Sequence, residues 1–101
     1  MKLKSIKYED AVADLEKHPR KKLMWTSGLW NSHKREISRE PREPKVVMKN
    51  DGSDGCRGVP TLIKSWKDEL WAEFRWACIV EVESNTDDEM WLHGYSGADM
   101  F

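Results

Sequence analysis

The stretch Ser65-Trp66-Lys67-Asp68-Glu69-Leu70-Trp71-Ala72-Glu73-Phe74-Arg75-Trp76-Ala77-Cys78-Ile79-Val80-Glu81-Val82 changes its hydrophobic period part-way, and that change sets the fold class. Ser65 with Asp68 three residues later has capping-box spacing, Asp standing in for the usual Glu or Gln. Ile63, Trp66, Leu70 and Phe74 then line one helical face, with Trp71 beside it. From Trp76 to Val82 the wording is apolar and β-branched, as in a buried strand. Trp66, Trp71 and Trp76 are five apart, a spacing no single helical face collects, so either one of them points elsewhere or the helix ends before Trp76. The second is expected, because Trp76 to Val82 looks like a strand. Trp71 and Trp76 are assigned to the core.

Working outward, Val59 to Ile63 reads as a short strand. Lys45-Val46-Val47-Met48-Lys49 is another, ended by the turn signal Asn50-Asp51-Gly52. Three glycines (Gly52, Gly55, Gly58) make the segment between these strands a loop or wide hairpin end. Upstream, Lys22-Leu23-Met24-Trp25-Thr26 reads as a strand and Ser27-Gly28 as a turn. Tyr8, Ala11, Val12 and Leu15 recur at helical spacing after Ser5, a suitable N-cap, and His18-Pro19 ends that helix. His33 to Lys45 alternates charge sign and carries Pro41 and Pro44, which reads as a long solvated loop. Beyond Ser84 the chain is acidic, then aromatic, and Met90-Trp91-Leu92 with Tyr95 would add an edge strand.

The expectation is therefore an α+β fold: a small antiparallel sheet of four or five strands with one or two short packed helices. Residues 1–101 form a single domain, with 37–45 a loop insertion and 84–101 a C-terminal extension.

Composition narrows the function. Lys+Arg 17 against Asp+Glu 18 leaves no global field to hold duplex nucleic acid, whereas a small anionic ligand needs only a local cluster of donors. No stretch approaches the ~20 apolar residues of a membrane span, and Met1-Lys2-Leu3-Lys4 lacks the apolar region of a signal peptide. Cys56 and Cys78 make no disulfide framework, so reduced thiols in a cytoplasm are expected. Cys56, Cys78, His33 and His93 have no zinc spacing. Asp51 to Gly58 lacks the Gly-Lys-Ser/Thr ending of a P-loop. Cys56 as a nucleophile would need a base such as His33 or His93, and no motif supports that pairing. The reading is a cytoplasmic binder with no cofactor, no metal and no catalytic residue.

Six tryptophans in so short a chain serve either as core filler or as platforms for a flat ring. Trp30 and Trp66 sit beside turns and polar residues, where a ring can face a ligand. Asn31 and Asp68 would read its hydrogen-bonding edge, although Asn31 also suits a turn and Asp68 also suits a cap. Arg57, between Gly55 and Gly58, would grip a phosphate, or else is a solvated loop arginine. Ser65 and Trp25 complete the candidate ligand-binding set.

The order of these residues resembles the second Thoeris anti-defence family, phage sponges that sequester cyclic ADP-ribose-type signals. Tyr8, Ala11, Leu15, Lys21, Lys22, Trp30 and Asn31 follow its first half. Met48-Lys49, Asp51-Gly52, Val59-Pro60, Ser65, Asp68, Leu70, Ala72-Glu73 and Trp76 follow its second, so that the chain looks like a divergent member over roughly two-thirds of its length. Leu29 separates Gly28 from Trp30 where the family pairs them, and Thr61 stands where it usually has tryptophan.

The resemblance implies an antiparallel sheet with a packed helix, a homodimer or homotetramer, and a pocket at a subunit interface that holds a cyclic nucleotide uncleaved. The ligand class is a cyclic ADP-ribose isomer or a cyclic oligonucleotide. A second reading is a small inhibitor docking onto a host defence protein through Asp87-Asp88-Glu89 and the aromatics Met90, Trp91, Tyr95 and Phe101. A third is an oligomerisation module without a ligand.

Overall fold

The computed structural model describes residues 4–27, 33–50 and 58–96. The elements run β1 (Lys4–Ser5), α1 (Tyr8–Lys17), β2 (Lys22–Ser27), β3 (His33–Ile37), β4 (Lys45–Asn50), β5 (Gly58–Ile63), α2 (Trp66–Trp76), β6 (Ala77–Asn85) and β7 (Glu89–Ser96). Five strands form one sheet in the order β1-β6-β7-β2-β3, and β4 pairs with β5 as a separate antiparallel hairpin. This is the expected α+β class, richer in strands than expected and not wholly antiparallel: β2 and β7 run parallel, Leu23 opposite Met90 and Trp25 opposite Leu92.

Ser5 does not cap α1. It lies in β1 opposite Glu81, and the N–H of Ile6 donates to the Val80 carbonyl at 2.9 Å, so the chain stays extended until Lys7, which takes the cap position. One face of the sheet meets both helices. Ala11 and Leu15 of α1 and Leu70 of α2 pack with Leu23, Trp25, Ile37, Val80, Met90 and Leu92, all buried. The Tyr8 hydroxyl donates to the Lys67 carbonyl at 3.1 Å and fixes the two helices against each other.

Four expectations are corrected. Residues 33–37 are a strand, because pairing with β2 supplies the backbone partners that the polar sequence conceals: Ile37 opposes Leu23 and is fully buried. An edge strand dressed in charge blocks further strand addition, which suits its composition. Helix α2 continues to Trp76, so its three tryptophans leave it on different sides. The C-terminal strand β7 is no edge: it lies between β6 and β2, with Met90 and Leu92 at 0% exposure. Strand β6 is also less buried than expected, with Val80 inside but Cys78 and Ile79 exposed.

The loop after β3 is solvated only in part. The Arg39 guanidinium donates to the carbonyls of Leu15 (2.7 Å), His18 (2.7 Å) and Lys21 (2.8 Å), covering the end of α1, and lies 4.8 Å from the Trp66 ring centroid. Burial shifts the Arg39 pKa downward.

Gly94 in β7 faces the buried Trp25. A Cβ there would lie 2.4 Å from the indole Cζ2, so only glycine admits the ring. Gly94→Ala is expected to lower stability by about 1–3 kcal/mol, the usual cost of overpacking, measured as a reduced urea midpoint. Deleting residues 87–101 removes an interior strand, and the truncated chain is expected to lose its cooperative thermal transition.

Candidate functional site

A cleft of about 640 Å³ opens where the ends of β2 and β3, the C-terminal half of α2 and the β4–β5 hairpin meet. Trp25 and Ser27 come from β2, His33, Lys34 and Arg35 from β3, Met48 and Lys49 from β4, Gly58 from β5, and Glu73 and Trp76 from α2. Its volume falls in the range of small-ligand sites, which combine apolar walls with a few placed polar groups.

An ionic network frames the cleft. Arg35 donates to Glu73 through Nη2 at 2.8 Å and to Glu69 through Nη1; Arg42 pairs with the other oxygen of Glu69, and Lys49 with Glu73. Three cations thus meet two carboxylates, and Lys34 adds a further positive charge on the cleft lining. Burial alone would raise the Glu69 pKa, but hydrogen bonds and charge from Arg35 and Arg42 outweigh it and hold the carboxyl below its ordinary value. Burial would lower the Arg35 pKa, and the same carboxylates reverse that too.

Of the four candidates that fall among the described residues, only Trp25 lines this cleft, and it does so as a core residue at 2% exposure. Trp66, Ser65 and Asp68 sit at the opposite end of α2. Asp68 caps the helix as its spacing indicated, accepting from the N–H groups of Ser65 (3.2 Å) and Lys64 (2.9 Å). Trp66 packs against the core beneath Arg39. Trp30, Asn31 and Arg57 lie outside the described residues. Trp71, assigned to the core, is 45% exposed, with its ring 5.0 Å from that of Tyr8. Trp76 lines the cleft instead of heading a strand.

Arg35, Lys49, Glu73 and Lys34 were missed because sequence spacing gives no hint that β3 and β4 converge on α2. The i, i+4 pair Glu69 and Glu73 was the one available signal: two like charges on one helical face need cations from elsewhere.

On the sheet's other face a second polar cluster is buried. Thr26 Oγ1 lies 2.7 Å from His93 Nδ1 and donates to Glu83 Oε1 at 3.0 Å, while His93 Nδ1 is 3.2 Å from that same oxygen. A smaller groove of about 290 Å³ runs between Trp71, Arg75 and β5. Cys78 is exposed, and Cys56 lies outside the described residues. Among the described residues no three potential ligands gather around a metal position, and no helix is long and apolar enough to cross a membrane.

No protein-family model, curated protein or solved structure matches this chain.

The lowered Glu69 pKa gives stability a pH dependence of fixed sign. A carboxyl depressed in the folded state contributes above its unfolded value, about 4.5, and that contribution is lost as pH falls through the folded value. The melting temperature of Glu69→Gln is therefore expected to lie below wild type at neutral pH, with the gap closing on acidification. Thermal unfolding of both proteins from about pH 7 to pH 3 measures it.

Proposed function

We propose that this protein binds and sequesters a cyclic nucleotide signal, either a cyclic ADP-ribose isomer or a cyclic oligonucleotide, without cleaving it. The observation that carries this reading is one cleft lined both by Trp25 and Trp76 and by Lys34, Arg35 and Lys49. A nucleotide is a flat ring joined to phosphate, so it needs an aromatic or apolar wall and nearby cations together. The resemblance to the second Thoeris anti-defence family points to the same ligand class. Action would be by mass action: a sponge in excess of its signal lowers the free signal below what an effector needs. The docking reading receives less support, because Met90 is fully buried and β7 lies inside the sheet, so its proposed hook is not a free tail.

Thermal unfolding against cyclic ADP-ribose isomers and cyclic di- and trinucleotides tests the proposal. A ligand at 100 times its dissociation constant adds about 2.7 kcal/mol, and a melting shift on the order of 10 °C is expected for a domain of this size. Mass spectrometry should find the ligand released intact on heating. Trp76→Ala is expected to weaken binding by roughly fivefold to a hundredfold, the range for loss of one stacking ring. No shift with any of these nucleotides would end the proposal.

A further inference from the structure

We propose that the second oxygen of Glu73 is a ligand-binding acceptor, which makes the cleft selective for phosphorylated ribosides carrying a hydrogen-bond donor over anions in general. The inference rests on the nucleotide reading above and specifies its chemistry.

Glu73 is 4% exposed and lines the cleft. Both of its cations converge on a single oxygen: Arg35 Nη2 reaches Oε1 at 2.8 Å, and Lys49 Nζ binds that same atom. Oε2 accepts no hydrogen bond among the described residues. One helical turn earlier, Glu69 uses both oxygens, Oε2 for Arg35 and Oε1 for Arg42. The contrast matters because a carboxylate has roughly four acceptor sites, and an oxygen without a protein partner can still accept from a ligand in the cleft.

Glu73 also changes what the neighbouring cations can do. Arg35 and Lys49 would accept any anion, yet the carboxylate between them repels a bare phosphate. A ligand that brings a donor beside its phosphate turns that repulsion into a charge-assisted hydrogen bond. In a riboside the donor is either a sugar hydroxyl, a recurrent partner of a carboxylate, or an exocyclic ring amine. Glu73 thereby becomes the specificity-determining residue of the cleft.

Isothermal titration of the full chain with ADP, inosine diphosphate (amine replaced by carbonyl), 2′,3′-dideoxy-ADP (sugar hydroxyls removed) and inorganic pyrophosphate tests this. Wild type is expected to bind ADP roughly tenfold to a hundredfold more tightly than the analogue lacking the relevant donor, the range for a hydrogen bond to a charged group. Which analogue weakens names the source. Glu73→Gln is expected to erase that difference while binding pyrophosphate as tightly as wild type or more tightly, since a negative charge has left.

Equal binding of ADP and both analogues by wild type would overturn the inference while leaving the nucleotide reading intact, and this comparison needs no variant to fold. Equal losses of ADP and pyrophosphate in Glu73→Gln would also overturn it, showing a merely structural carboxylate. If none of the four ligands binds, the nucleotide reading fails for these ligands and the inference falls with it.

Discussion

Two carboxylates one helical turn apart, Glu69 and Glu73, tie together parts of the molecule that share little else. Helix α2 meets the five-stranded sheet and also the β4–β5 hairpin. A two-stranded hairpin is at best marginally stable alone, so its position depends on what it packs against. Buried Ala72 and Ile63 supply apolar contact, and Lys49 supplies the ionic one. Arg35 brings the edge strand β3 to the same carboxylates, and Arg42 brings the following loop. Ions removed from water are costly unless well paired, and breaking such a pair is worse than never having built it. Two cations per carboxylate meet that condition. Two of these cations, Arg35 and Lys49, also line the cleft together with Lys34, so a bound anion must share them with Glu73 instead of replacing it.

The sheet obeys a separate constraint of shape. Trp25 needs a neighbour without a side chain, and Gly94 provides it from the parallel strand β7. The contact is made with β7 inside the sheet, and burial of Met90 and Leu92 goes with the same placement. What reads as an acidic-aromatic tail is therefore an interior strand that contributes Met90 and Leu92 to the core. Its exposed acidic start, Asp87 and Asp88, belongs to the short connection between β6 and β7.

Local signals in the sequence were reliable where the physics is local. The strands near residues 22, 45 and 59, the stop at His18-Pro19, and the Asp68 cap all depend on residues within a few positions of one another, and each is found. Strand β3 was illegible because an edge strand is defined by its partner, and only Ile37 carries an apolar mark. The end of α2 was misjudged because a helix packed on several sides need not keep its large residues on one face. The cleft was almost wholly illegible: Arg35, Lys49 and Glu73 are far apart in the chain and meet only through the packing of α2. Trp25 was singled out as a candidate ligand platform; its ring fills the core and also borders the cleft.

The tryptophans on α2 show how one helix can serve several surroundings. Successive steps of five residues turn about 140° around the axis, given 3.6 residues per turn. Trp66 goes beneath Arg39, Trp71 beside Tyr8 and the small groove, and Trp76 to the cleft. The last position has an electrostatic consequence. A helix C-terminus carries negative partial charge and disfavours anions, the reverse of the phosphate sites built at helix N-termini. A phosphate in this cleft would gain nothing from the α2 dipole and would meet Glu73 as well. Lys34, Arg35 and Lys49 must outweigh both, so binding here would depend on side-chain charge and on a ligand able to satisfy a carboxylate.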